Sequence, residues 1–180
     1  LGARTDLNPE QAVLFLEDPA IGFAYISQRE YAPGAYALRD LRAHIKKRPP
    51  WAATEKVQQL FSCPGDNFLI AGYYHPGYEQ TLLRLMEERN LTAGLVIKGL
   101  EGTSHYALRS GKPSDEARKA INFSQGFRHT GNQREPFEQD VDPNEFGYHY
   151  AESPRPEIIN AEAFAHAGTE ALSGEQGPAL

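Results

Sequence analysis

The residues best suited to chemistry are Lys98, Gly99, Glu101 and Gly102, within Gly94-Leu95-Val96-Ile97-Lys98-Gly99-Leu100-Glu101-Gly102-Thr103-Ser104-His105-Tyr106. The first half of this stretch is an apolar, β-branched run that reads as a buried strand. The second half is a Gly-punctuated polar loop leaving the strand's carboxyl end, the place where open α/β sheets bind ligands. Lys98 there either binds phosphate or marks the first solvated position. The glycines around Glu101 permit close backbone approach to a ligand, although an ordinary loop acid would look the same. His75 ends the neighbouring apolar run and is a candidate contact on the same rim. Arg48, before Pro49-Pro50, ends a helix; its planar guanidinium either faces the sheet top as a bidentate donor or balances the helix dipole. His105 could act near phosphate or simply pack. Tyr73, Tyr74 and Tyr78, beside His75, could stack on bases, while strand alternation must bury one of Tyr73 and Tyr74.

These positions need a frame. Residues 68 to 74 read as a strand, 78 to 89 as an amphipathic helix with Leu82, Leu85 and Met86 on one face, and 94 to 98 as the next strand. That β-α-β unit implies parallel pairing. Asn8-Pro9 announces a short helix over 10 to 17, residues 22 to 26 read as a strand, and residues 35 to 47 as a helix with Leu38, Leu41 and Ile45 at helical spacing. Residues 52 to 61 suggest another short helix, and Ser114-Asp115-Glu116 could cap one running to about Phe123. Residues 124 to 157 read as a loop-rich cover with one or two short strands, and 161 to 172 as a last helix, capped by Asn160 and ended by Gly174. The expected fold is therefore a single α/β domain over residues 1 to 180: a mainly parallel central sheet flanked by helices, with a loop-rich C-terminal cover.

A chain of 180 residues, 40% hydrophobic, can bury one core, and a net charge of −6 gives no overall basic footprint for nucleic acid or anionic membrane. The lone Cys63 excludes an internal disulfide and reads as an inert packed thiol in a reducing cytoplasm. No apolar stretch approaches the roughly 20 residues of a spanning helix, and no signal-peptide pattern opens the chain, so a soluble, cytoplasmic protein is expected. The run His44-Ile45-Lys46-Lys47-Arg48, with Arg39 and Arg42, is the one stretch that could form a nucleic-acid patch; a solvated helix face is its plain alternative. There is no P-loop, no zinc-ligand spacing and no G-x-S-x-G. The start at Leu1, without methionine, suggests a piece of a longer protein.

Taken together, these motifs resemble the α/β domain of the anthranilate phosphoribosyltransferase family, glycosyltransferases related to the pyrimidine nucleoside phosphorylases. Ala20-Ile21-Gly22-Phe23, Pro33, Leu41-Arg42 and Arg48 are similar to the family's "G-I-G-F", "H-P-A-M-K", "L-R" and "G-x-R-T". Val96 to His105 resembles "V-V-H-G-x-D-G-x-D-E", and Asn160-Ala161 with Gly174 to Pro178 resembles the closing "N-A … G-x-x-G-P". The resemblance implies that Arg48 recognises the acceptor's carboxylate, that phosphoribosyl diphosphate or a similar phosphorylated sugar is the donor, and that magnesium is held near Glu101. It also implies a homodimer formed through a helical domain that these residues lack. The chain departs from the pattern where the acidic pair would hold magnesium, carrying Ser104 and His105 instead, and where Ala32 and Tyr36 replace a histidine and a lysine. It contains no Gly-rich phosphate loop, so this span alone is expected to be inactive. The better match is the family's divergent second branch, whose motifs are similar to His75-Pro76-Gly77-Tyr78 and Gly99-Leu100-Glu101-Gly102. That branch implies a glycosyltransferase other than a true anthranilate enzyme, or alternatively a non-enzymatic nucleic-acid binder on the same scaffold.

Overall fold

A computed structural model describes residues 3–46, 51–109, 121–152 and 157–174, apart from the side chains of Trp51, Ala53 and Glu101. The chain divides into two units, Leu1–Ala52 and Ala53–Leu180.

The first unit is helical. Asn8 starts α1 (Pro9–Glu17) with a reciprocal cap: its side chain accepts from the Gln11 amide at 2.8 Å, and the Gln11 side chain accepts from the Asn8 amide at 3.2 Å. α2 (Gln28–Tyr31), α3 (Pro33–Ala37) and α4 (Arg39–Ile45) follow as short turns. The strand expected over residues 22 to 26 is not formed. Gly22 turns the chain at φ 59°, and no described strand of this unit offers the segment a ladder partner for its backbone groups. The single helix expected over residues 35 to 47 is broken at Leu38 (ψ 1°) and stops at Lys46 (φ 54°). Its apolar stripe is exposed, at 39% for Leu38, 52% for Leu41 and 49% for Ile45, so burial does not hold a continuous helix there.

The chain enters the second unit through α5 (Trp51–Thr54), a 3-10 turn (Glu55–Val57) and extended backbone at Gln58, shorter than the helix expected over residues 52 to 61. Val57 on that turn is fully buried. The β-α-β unit forms as its pattern implies: β1 (Phe68–Gly72), α6 (Tyr78–Glu88) and β2 (Ala93–Ile97), with β1 parallel to β2 and Ile70 opposite Leu95. Leu82, Leu83 and Met86 of α6 pack with Ala71, Val96 and Phe127 in the core. Gly94 makes this contact possible, since a Cβ there would stand 2.6 Å from Met86 Sδ and 2.7 Å from Phe127 Cε1.

The remainder of the sheet corrects the mainly parallel expectation. β3 (Phe123–Thr130) pairs antiparallel with β2, and β4 (Gln133–Asp140) pairs antiparallel with β3, giving a mixed four-stranded sheet in the order β1-β2-β3-β4. Within this sheet β1 and β2 are the parallel pair. The two-residue turn Gly131-Asn132 closes the β3–β4 hairpin, with Gly131 at φ 61°. β4 is an edge strand exposed along its whole length, which is why it shows no apolar alternation and reads as loop. Pro136, opposite Phe127, sits on that edge. Phe123, expected to end a helix, instead opens β3; residues 114 to 120 lie outside the described residues. α7 (Ala161–Ser173) matches its expectation, capped by Asn160 accepting from the Ala163 amide at 2.8 Å and ended by Gly174 at φ 77°. No helix among the described residues is long and apolar enough to cross a membrane.

The loop after β2 folds back on the end of β1, so a Cβ at Gly72 would stand 2.2 Å from the carbonyl carbon and oxygen of Thr103. Gly72→Ala is therefore expected to cost about 3 kcal/mol. Gly131→Ala meets nothing within 4 Å and carries only the left-handed strain of its φ of 61°, about 1 kcal/mol. Urea unfolding of the two variants measures the difference, and equal costs would contradict the close approach at Gly72.

Candidate functional site

The carboxyl ends of β1 and β2 form one rim. The Tyr73 amide donates to the Ile97 carbonyl at 3.0 Å, which continues the parallel pairing one residue past β1. The Lys98 amide donates to the Phe123 carbonyl at 2.8 Å, continuing the antiparallel pairing. His75 and Lys98 thus leave adjacent strands at the same end, His75 exposed and Lys98 half-buried. Past His75 the chain turns at Gly77 (φ 91°), whose amide donates to the buried Glu79 carboxylate at 2.6 Å before α6 starts. The His75 ring meets Tyr74 edge-on at 4.8 Å and lies 6.3 Å from Tyr78, forming an exposed aromatic trio. Strand alternation works as the sequence required, with Tyr73 at 2% exposure and Tyr74 at 52%.

The loop beyond Lys98 is held from several sides. Residues Leu100–Gly102 make a 3-10 turn, closed by the Gly102 amide to the Gly99 carbonyl at 3.2 Å and the Thr103 amide to the Leu100 carbonyl at 3.1 Å. Gly99 is buried in it, and a Cβ there would lie 2.4 Å from the Thr103 carbonyl oxygen and 2.6 Å from that of His105. The close approach that Gly99 permits is thus of the chain to itself. Lys56, half-buried within the 3-10 turn after α5, donates from Nζ to the carbonyls of Gly72 and Gly102, each at 2.8 Å. One ammonium therefore ties the loop to the end of β1. Further along, Ser124 Oγ donates to the Gln139 carbonyl at 3.0 Å, so the Tyr106 hydroxyl is the donor in its 3.0 Å bond to Ser124. Asn122, 1% exposed and at φ 75°, binds both the amide and the carbonyl of Ala107, at 2.7 and 2.9 Å.

On the α6 side of the sheet lies a second polar group. Gln80 donates to Gln125 at 3.1 Å, and Gln125 donates to Glu138 across the hairpin. The Tyr73 hydroxyl is buried without a hydrogen-bond partner among the described residues. Burial pushes its phenol well above the ordinary tyrosine value, and the charges of Glu79, Glu138 and Asp140 push it further.

Of the residues singled out from sequence, His75, Lys98 and Gly99 share the rim, and Glu101 contributes its backbone to the 3-10 turn. Arg48 lies outside the described residues. Ser104 and His105 are exposed, and a hydroxyl with an imidazole does not suit magnesium, which prefers carboxylate oxygen. Among the described residues no group of three or more His, Cys, Asp or Glu could hold a metal ion. Cys63, expected as a packed thiol, is exposed, its Sγ 3.5 Å from the Asp66 carbonyl. Sequence reasoning did not foresee the bonds made by Lys56, Asn122 and Gln125, whose partners lie far along the chain. No family model matches the chain, and no curated protein is found to be similar to it.

Lys56→Met leaves two carbonyls without their charged donor, so it is expected to cost about 2 kcal/mol in urea unfolding and to speed amide exchange at Gly102 and Thr103. Tyr73→Phe removes a hydroxyl that has no partner among the described residues and is expected to stabilise the chain by about 1 kcal/mol at pH 7. The wild-type phenol, raised in the folded state, keeps its proton above pH ~10 while the unfolded chain loses it, so stability falls there by about 1.4 kcal/mol per pH unit from this group. The phenylalanine variant lacks that fall, which unfolding at pH 7 and pH 11 measures.

Proposed function

We propose that the chain is the α/β domain of a phosphoribosyltransferase-like glycosyltransferase, related to the anthranilate enzymes but not one of them. The rim of β1 and β2 takes phosphoribosyl diphosphate or a similar phosphorylated sugar. The observation that carries this reading is the meeting of Lys98, His75 and the Gly99 loop at the carboxyl ends of the parallel pair β1 and β2. Lys98 supplies positive charge to phosphate, and the exposed faces of Tyr74, His75 and Tyr78 suit a flat aromatic or heterocyclic acceptor. In such a reaction the acceptor nitrogen attacks the anomeric carbon, the C–O bond to diphosphate breaks, and diphosphate leaves with the bonding electrons. The protein contributes positioning and charge stabilisation. Ser104 and His105 do not fit the magnesium of the anthranilate enzymes, and no step here relies on it.

A second reading, nucleic-acid binding, is favoured by Arg39, Arg42 and His44 gathered on α4 with Lys46 at its end.

Calorimetric titration of the chain with phosphoribosyl diphosphate is expected to show saturable binding that Lys98→Ala weakens about tenfold. Absence of donor binding, together with salt-sensitive binding of single-stranded DNA, would replace the transferase reading with the second one.

A further inference from the structure

Within the first unit, two guanidiniums meet at one phenol oxygen. Ser27 caps α2, its Oγ accepting from the Arg29 amide at 3.3 Å, while Pro33 opens α3 and Arg39 opens α4. These short turns bring Arg29, Tyr36 and Arg39 together. Tyr36 Oη accepts from Arg29 Nη2 at 3.1 Å and from Arg39 Nη1 at 2.9 Å. The guanidinium carbons lie 5.1 and 5.2 Å from the centre of the Tyr36 ring. The Arg29 hydrogen bond holds the Tyr36 phenol below its ordinary value, and the charges of both arginines add to this.

Two like charges converging on a neutral oxygen repel one another, and Glu30 beside Arg29 and the exposed Asp40 beside Arg39 offset them only in part. Arg29 makes no ion pair among the described residues, although the charge of Glu30 favours its charged form. Arg39 gives only Nε to Asp40, at 3.2 Å in a pair whose side chains are 67% and 80% exposed. Each guanidinium carries five N–H donors, and the bonds to Tyr36 and Asp40 use few of them. The Tyr36 oxygen accepts from both arginines, which leaves its own proton available to donate.

We propose that Arg29, Tyr36 and Arg39 form a binding site for the dianionic phosphoryl group of a phosphate monoester. Two guanidiniums match a charge near −2, each can hold a pair of phosphoryl oxygens, and the phenol O–H serves a third. A carboxylate or a phosphodiester, carrying one charge, is matched by a single guanidinium. The site is exposed, so affinity is modest and falls with salt.

The probes are methyl phosphate and dimethyl phosphate, titrated into the full chain while the arginine Nε–H resonances are followed by NMR. Methyl phosphate is expected to shift the Arg29 and Arg39 signals saturably and to bind at least about tenfold more tightly than dimethyl phosphate. Arg29→Gln or Arg39→Gln abolishes the saturable shift. Tyr36→Phe keeps both charges but loses the O–H, and weakens binding without abolishing it. Arg29 and Arg39 are exposed and Tyr36, half-buried, loses only its hydroxyl, so these substitutions leave the circular dichroism of the chain unchanged. A free monoester and the terminal phosphate of a nucleic-acid strand are separated by comparing an oligonucleotide with and without a 5′-phosphate; the phosphorylated strand is expected to gain binding that Arg29→Gln removes. Equal binding of the two methyl esters, undiminished binding in the Arg29→Gln, Arg39→Gln double variant, or no saturable shift overturns the proposal. Lys98→Ala leaves this binding unchanged, so a failure here is distinct from a failure at the rim.

Discussion

At Gly72 the backbone of one segment lies against the backbone of another with no room for a side chain, and the second unit is arranged around that contact. The Thr103 carbonyl fills the place of a Cβ. The loop after β2 is closed onto the end of β1, and the Lys56 ammonium spans the seam by donating to one carbonyl on each side. Because an ammonium in a half-buried position binds carbonyls more strongly than a neutral donor would, the seam resists opening. Tyr106 and Asn122 extend the same closure toward β3, so that the loop is built as a wall of the sheet.

Much of the second unit could be read from sequence because its signals are local. The β-α-β unit has an apolar run, a helix with a clear stripe and a second apolar run within about thirty residues, and α7 has both its caps. Of the antiparallel half only one or two short strands were expected, without their pairing, and for a physical reason: of β3 only Phe127 joins the core cluster, while β4 is exposed and meets β3, solvent and, through Arg134, Glu87 of α6. A strand with no apolar face has no period to read. The first unit misled in the opposite direction. Leu38, Leu41 and Ile45 have helical spacing, but spacing promises a face and not something to bury it against.

The site divides in the same way. The placement of Lys98 and His75 at strand ends could be read because such ends are located from a pattern break, and the loop glycines because loops announce themselves. What the glycines are for was not legible, since the atoms that crowd Gly99 belong to Thr103 and His105, and sequence does not say whether a ligand or the chain itself will approach. Lys56 and Asn122 act through partners 46 and 15 residues away, a relation that only folding creates. The Arg29, Tyr36 and Arg39 cluster spans residues 29 to 39, and its spacing of 7 and 3 would suit one helix face, but Pro33-Gly34 interrupts that pattern and three separate short helices assemble the cluster instead.

One feature of the hairpin bears on the behaviour of many copies together. β4 ends the sheet, and Pro136 stands near its middle with Glu135 beside it and Glu138 two residues on. A strand arriving from another molecule would find a missing N–H donor at the centre of the edge and carboxylates close by that repel acidic neighbours. The polar, proline-interrupted composition that concealed β4 as a strand also makes it a poor template for self-association, so the sheet is closed on the β4 side by its own chemistry.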